Sequence, residues 1–262
     1  MIKALYTSAT GMRAQQQLVD VVANNLANVN TTGFKRSRLD FQDLLYDTQI
    51  MPGTQVAVGL EVPTGFQVGS GTRPISTTKI FSQGTPEETG GELDVAISGR
   101  GFFEITLPDG TKAYSRDGSF RKDSAGNLTN AEGLLVSPAI TIPENISGLN
   151  IGRDGTITAV MNDGSVTNIG QLTLSSFPNP SGLNSIGGNL YLPTPASGTA
   201  TTNLTPGQNG TGEVQQRFLE RSNVEVVVEL VKLITAQRAY EINARAIRSS
   251  DDMLGAVNNL TR

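Results

Sequence analysis

The side chains that most often do chemistry are missing from this 262-residue chain, which has no histidine and no cysteine. That removes the commonest general base, the Ser-His-Asp arrangement, imidazole and thiolate metal sites, cysteine nucleophiles and disulfides together. It leaves the redox compartment open and suits a chain that must stay unfolded during export, with no thiols to cross-link. What remains is sparse. Ser76-Thr77-Thr78-Lys79 matches a Ser-x-x-Lys nucleophile pattern, but in a threonine-rich extended stretch without a companion motif. Gly99-Arg100-Gly101-Phe102-Phe103-Glu104 starts like a dinucleotide fingerprint, then lacks the third glycine and leads into a strand-like run. The carboxylate pairs Glu87-Glu88 and Asp251-Asp252 read as solvated faces, and the Asp-Gly dipeptides lack the alternating ligands of a calcium loop. The sequon Asn127-Leu128-Thr129 reads as chance in a chain rich in both residues. No catalytic, cofactor or metal residue is assigned, and the chain is expected not to be an enzyme.

Composition narrows the partners. A net charge of −4 and a pI near 5.0 argue against nucleic acid, which asks for a basic face. The one basic run, Lys35-Arg36-Ser37-Arg38, follows an expected helix end, where cations complement the helix dipole. Residues 1–17 show no apolar core ahead of Gln15, Gln16 and Gln17, and no apolar run reaches the length of a membrane span. Export without a cleavable signal peptide and without membrane insertion is the expectation.

The elements that would have to position any site are clearer. Leu5, Met12, Val19 and Leu26 recur every seven residues, with Ile2, Ala9, Gln16 and Ala23 three before each, predicting a helix over 2–29 that Gly33 stops. Val226, Leu233, Tyr240, Ile247 and Leu254 form an unbroken row of the same period. They predict a final helix over 222–260, although the β-branched run 224–228 also suits extended backbone. Between them, Asp109-Gly110, Asp117-Gly118, Asp154-Gly155 and Asp163-Gly164 are hairpin-type turns between short apolar runs. With 29 glycines and 12 prolines, extended connections are plentiful.

The reading is α+β. The terminal helices (1–30 and 222–262) pair as a coiled-coil-like domain, 92–205 form a central all-β domain, and 31–91 with 206–221 are an extended connector with strand pieces. A two-helix pairing cannot by itself cover the apolar rows, so other copies of the chain are expected to complete it. Within the connector, Ile50, Met51, Pro52, Val56, Leu60 and Pro63 carry apolar and proline residues with no helix or strand period. That suits an extended arm laid on a neighbouring subunit, stiffening the assembly.

Two segments are more specific. Ala23-Asn24-Asn25-Leu26-Ala27-Asn28-Val29-Asn30-Thr31-Thr32-Gly33-Phe34-Lys35 closely resembles the N-terminal signature of the bacterial flagellar rod and hook proteins. Ser222-Asn223-Val224-Glu225-Val226 through Ala236-Gln237-Arg238-Ala239-Tyr240-Glu241-Ile242-Asn243 resembles their C-terminal one. Asn24 and Asn28 share a helix face, where their amides can bond each other or a neighbouring subunit, or simply mark a fraying helix end. The resemblance favours packing between subunits for Asn24, Asn25 and Asn28.

Within that family, Gln42-Asp43-Leu44-Leu45-Tyr46-Asp47, Gly69-Ser70-Gly71-Thr72-Arg73-Pro74 and Tyr114-Ser115-Arg116-Asp117-Gly118-Ser119-Phe120 resemble the distal-rod branch. Ala244-Arg245, where Ser-Lys is frequent, is a mild departure. The resemblance implies a subunit of a hollow helical drive shaft and export channel in the basal body, crossing the periplasm. It implies as partners further copies of itself, the proximal rod proteins, the hook protein, the P-ring and L-ring bushing proteins and the flagellar export apparatus. The alternative within the family is a proximal rod or hook subunit, and hook proteins lack the segment 47–65. Outside it, a periplasmic wall-cleaving enzyme and a coiled-coil adhesin are the rival classes.

Overall fold

A computed structural model describes residues 2–57 and 60–260, with the backbone alone at 56, 57, 60, 61 and 258–260. The chain runs helix, β-rich middle, helix, the expected α+β order, and divides into two compact units. The first unit comprises Met1–Ala27, Ser37–Thr78 and Glu225–Arg262. Its helices, α1 (Ile2–Ala27) and α2 (Val226–Leu260), pack on each other. α1 stops two residues before the predicted end because Thr31 closes a turn on Asn28, donating N–H to O at 3.2 Å and Oγ1 to Oδ1 at 3.1 Å. α2 starts at Val226, later than the predicted 222; of the β-branched residues in 224–228 only Val224 stays outside the helix, while Val226, Val227 and Val228 open its first turn.

The rest of the first unit is a long interrupted hairpin. β1 (Ser37–Asp43) pairs with β6 (Thr72–Lys79), and inside them β2 (Tyr46–Ile50) with β5 (Phe66–Gly69) and β3 (Gln55–Ala57) with β4 (Leu60–Glu61). Leu44 N–H donates to Gly71 O at 2.8 Å and carries the pairing across the first break. Gly71 has φ of +112°, and a Cβ there would collide with Thr10 Oγ1 on α1, so glycine is required twice over.

The second unit, Asn28–Arg36 with Lys79–Val224, is built of strands apart from one 3-10 turn at Pro180–Gly182. Its seven-stranded antiparallel sheet has the order β11-β12-β13-β9-β10-β19-β18. Its members are β9 (Phe103–Thr106), β10 (Lys112–Ser115), β11 (Arg121–Lys122), β12 (Leu128–Thr129), β13 (Leu135–Ser137), β18 (Asn184–Gly187) and β19 (Leu190–Leu192). A three-stranded meander joins β14 (Ile146–Ile151), β15 (Thr156–Met161) and β16 (Val166–Gln171). Three two-stranded ribbons complete the unit. They pair β7 (Pro86–Glu88) with β22 (Phe218–Glu220), β8 (Val95–Ser98) with β21 (Glu213–Gln216), and β17 (Leu174–Ser176) with β20 (Thr201–Leu204). Phe103, Phe120, Ile97, Leu172, Leu174 and Val214 head the core, and Phe103 meets Phe120 edge-on at 5.0 Å.

Three of the four Asp-Gly pairs make the predicted hairpin turns. In each, glycine takes φ near +80° and the aspartate accepts from the Thr or Ser two residues on, as Asp109 Oδ1 does from Thr111 N–H at 2.9 Å. Those hydrogen bonds, led by the Thr or Ser side chain, hold the carboxyls of Asp109, Asp154 and Asp163 below the usual range. Asp117-Gly118 is a correction. Gly118 lies just past the bend at Arg116, and a Cβ on it would strike Val95 O, so it permits close backbone approach and turns no hairpin. Two turns built on Asp123…Gly126 and Asn130…Gly133 were not anticipated, since aspartate or asparagine and glycine stand three apart there.

Phe120 is 4% exposed within this core. Phe120→Ala is expected to lower the unfolding free energy by about 3–5 kcal/mol in urea titrations followed by circular dichroism. A loss below about 1 kcal/mol would remove Phe120 from the core.

Candidate functional site

The two signature segments are where the structure concentrates buried polar chemistry. On α1, Asn25 is 1% exposed. Its Nδ2 donates to Ser37 O at 2.8 Å and to Glu229 Oε2 at 3.1 Å, while its Oδ1 accepts from Ser37 N–H at 2.8 Å. Glu229, also 1% exposed, accepts from Lys232 Nζ at 2.5 Å. One amide therefore joins α1, β1 and α2, and its bonds lie within its own chain. A buried amide with every group matched selects one register, because a slip strands its donors. Asn24 is exposed, and Asn28 is half-buried in the turn with Thr31.

The helix seam follows from that contact. Asn25 meets Glu229, and a Cβ on Gly11 would come within 3.1 Å of Asn243 Nδ2, so the helices run antiparallel. Steps of seven along α2 from Glu229 lead through Ala236 to Asn243 and Ser250, and all but the half-buried Asn243 are buried. The seam is small and polar, and the predicted apolar rows flank it. Leu5, Met12, Val19 and Leu26 are half-buried, as are Leu233, Ile247 and Leu254, while Val226 and Tyr240 are exposed.

The first turns of α2 carry a second apolar stripe. Val227, Leu230, Val231 and Ile234 stand at i, i+3, i+4 and i+7 and are all exposed, Val227 by 74%. Val227 and Ile234 point roughly 140–160° around the helix from Glu229, away from α1. The hairpin adds exposed Leu45 (88%), Tyr46, Ile50, Met51 and Phe66. Pro52 and Pro63 are exposed on the same arm, and the side chains of Val56 and Leu60 lie outside the described residues. Exposed apolar area of this extent marks a surface that another body covers.

In the second unit the tail of the N-terminal signature threads into the β structure. Gly33 takes φ of +67°, with Asp117 N 2.6 Å from where its Cβ would lie, and donates N–H to Glu220 O at 2.7 Å. Phe34 is buried beneath the Lys79 ammonium, 4.6 Å from the ring centroid. Lys35 corrects the reading of a cation that complements a helix dipole, because it is 0% exposed and pairs its charge with Glu220. Its Nζ donates to Glu220 Oε1 at 2.5 Å and to Ser82 O at 2.7 Å. Glu220 Oε1 also accepts from Gly84 N–H at 2.8 Å, and Arg116 Nε stands 3.0 Å from Oε2 without directing its hydrogen there.

Desolvation pushes the Lys35 pKa below the usual lysine range, against the pull of Glu220 and with a further push from Arg116. Asn223 closes the crossing. It accepts from Arg36 N–H at 2.8 Å and donates to Ile80 O at 2.8 Å and Ser82 Oγ at 2.9 Å.

The residues considered for catalysis are otherwise engaged. Ser76 hydroxyl turns to Asp40 Oδ2 at 3.4 Å, Lys79 covers Phe34, and both carboxylate pairs are exposed. Among the described residues no group of three metal-ligating side chains comes together and no helix is long and apolar enough to cross a membrane.

Three family profiles match in order along the chain. They are "Flagella basal body rod protein" at residues 5–35, "Flagellar hook protein FlgE/F/G D1 domain" at 96–159 and "Flagellar basal body rod FlgEFG protein C-terminal" at 215–260. The flagellar basal-body rod protein FlgG of Buchnera aphidicola subsp. Schizaphis graminum is 49% identical over 99% of this chain and 100% of its own length. That of Borreliella burgdorferi is 46% identical over the whole of both chains. The rod protein FlgF of Caulobacter vibrioides is 33% identical over 98% of this chain and all of its own.

Two buried cations depend on the one carboxylate of Glu220. Glu220→Gln is therefore expected to destabilise the chain by about 3–5 kcal/mol in urea unfolding, the range for stranding a buried charge. Lys35→Met, which leaves Glu220 beside Arg116, is expected to do distinctly less harm. Equal losses from the two variants would contradict the shared-carboxylate account.

Proposed function

Because the chain belongs to the flagellar basal-body rod protein family, we propose that it assembles, copy on copy, into the distal segment of the rod as a hollow helical tube. The tube carries torque from motor to hook and serves as the export channel. The role is structural and not enzymatic, and the place is the flagellar basal body, in an axial structure shared with other rod proteins and the hook. On this reading the rod crosses the periplasm inside the P-ring and L-ring bushings. Its subunits come from the export apparatus and meet the proximal rod proteins at one end and the hook protein at the other.

The observation that carries the reading is the apolar stripe of α2 that faces away from α1. An exposed apolar helix face is ordinarily covered by a partner, and α1 packs on the opposite, polar seam. Neighbouring copies supply that cover, through the stripe at Val227, Leu230, Val231 and Ile234 and the half-covered rows at Leu5, Met12, Val19, Leu26, Val226, Leu233, Tyr240, Ile247 and Leu254. Asn24 and Asn28 take part in the same subunit packing, while Asn25 sets the register of the helix pair that presents it. The hairpin arm, with Ile50, Met51, Pro52, Val56, Leu60 and Pro63, lies on a neighbour and resists sliding.

A glutamate at position 231 stays solvated in the free subunit but has to be desolvated once assembled, at several kcal/mol. Val231→Glu is thus expected to leave thermal melting of the free subunit unchanged and to abolish sedimenting polymer. Melting lowered as much as by Phe120→Ala would place the stripe in the subunit's own core and end the proposal. Removing residues 48–64 is expected to leave the subunit folded and make rods more bendable in electron micrographs. Deletion rods as stiff as the parent would rule out the role of the arm.

A further inference from the structure

The charges gathered at Glu220 are unevenly matched, whereas the other buried carboxylate of the second unit, Glu104, pairs with Lys112. Lys35 and Arg116, 0% and 4% exposed, share one carboxylate, although buried ions are ordinarily compensated. A guanidinium has five N–H groups. In Arg116, Nε faces Glu220, while Nη1 donates to Gly101 O at 2.7 Å and Nη2 to Gly99 O at 2.9 Å. Since Nε does not aim its hydrogen at Oε2, three N–H groups of this buried side chain have no hydrogen-bond acceptor among the described residues. Arg116 also lines a cavity of about 210 Å³, with the exposed Arg100 on another part of its wall and Phe81, Phe102 and Phe177 forming the apolar part. At about 30 Å³ per water, that volume holds roughly seven waters, or one small organic group.

We propose that this cavity is a carboxylate-binding site. Its ligand is an anion with an apolar or aromatic body. The carboxylate is held by the free N–H groups of Arg116 and the charge of Arg100, and the body lies against the three phenylalanine rings. Charge-assisted bonds to a guanidinium shielded from water are strong and selective for a planar anion, and aromatic walls with a few convergent polar groups are the usual make-up of a small-ligand pocket. Such a carboxylate restores the balance that Glu220 alone does not supply. Two sources fit the chemistry, a free small carboxylate and an acidic side chain of a second copy.

The probe is benzoate, with neutral benzamide as its control, titrated calorimetrically into the purified full chain at low ionic strength. Benzoate is expected to bind in the millimolar range, about tenfold or more tighter than benzamide. Arg100→Ala, at an exposed position outside the Glu220 cluster, should weaken benzoate severalfold with unchanged melting. Ser176→Leu, which fills the cavity wall, should abolish binding. Benzoate that slows polymerisation assigns the site to a neighbour's acidic side chain, and benzoate that binds without effect on assembly assigns it to a free carboxylate. Benzamide binding as tightly as benzoate, or no benzoate binding at tens of millimolar, overturns the proposal.

Discussion

A helix that packs against one partner through a polar seam leaves an apolar stripe on its far side uncovered, and the arrangement of this chain depends on that limit. α1 takes the seam face of α2, where Glu229, Ala236, Asn243 and Ser250 make a narrow, polar contact. Val227, Leu230, Val231 and Ile234 are left to water. A small polar seam brings two helices close without burying much hydrocarbon, so it contributes register more than strength. Strength on the outer face has to come from elsewhere, and on the proposed reading neighbouring copies supply it. The chain's β unit, by contrast, closes a large aromatic and aliphatic core of its own.

The signature segments make sense as polar specification. Asn25 ties α1, β1 and α2 together in the first unit. In the second, Glu220 gathers Lys35, Gly84 and Arg116 while Asn223 gathers Arg36, Ile80 and Ser82. These clusters join segments far apart in sequence, Lys35 and Glu220 by 185 positions. Buried groups of this kind add little net stability when matched and penalise mismatch heavily, so they choose one arrangement among several of similar apolar burial. For a subunit that must present the same surface in every copy, uniqueness of shape matters more than a deep energy well.

What could be read from the sequence was what is local. Seven-residue rows marked both helices to within a few residues, and Asp-Gly pairs marked three real hairpin turns, because turn chemistry acts over four residues. The long hairpin at 37–79 had no readable period. Its β2 strand is exposed throughout, so no alternation of burial was imposed on it. The true seam was hidden for a related reason: glutamate, alanine, asparagine and serine form no apolar row, and the eye follows Leu233 and Ile247 instead. Lys35 looked like a helix-end cation because nothing nearby in sequence announces Glu220. Family membership rested on the asparagine-rich and C-terminal signatures, whose buried bonding only coordinates reveal.

The absence of native cysteine makes the central claim directly measurable with single thiols. Val231→Cys and Ala236→Cys place one thiol on the open face of α2 and one in its seam. Their reaction rates with a small thiol reagent can be followed in dilute subunit and in sedimented polymer. The account predicts that Val231→Cys reacts quickly in the dilute chain and becomes protected on assembly, while Ala236→Cys is protected in both states. A thiol at 231 that reacts as fast in the polymer as in the free subunit would contradict it.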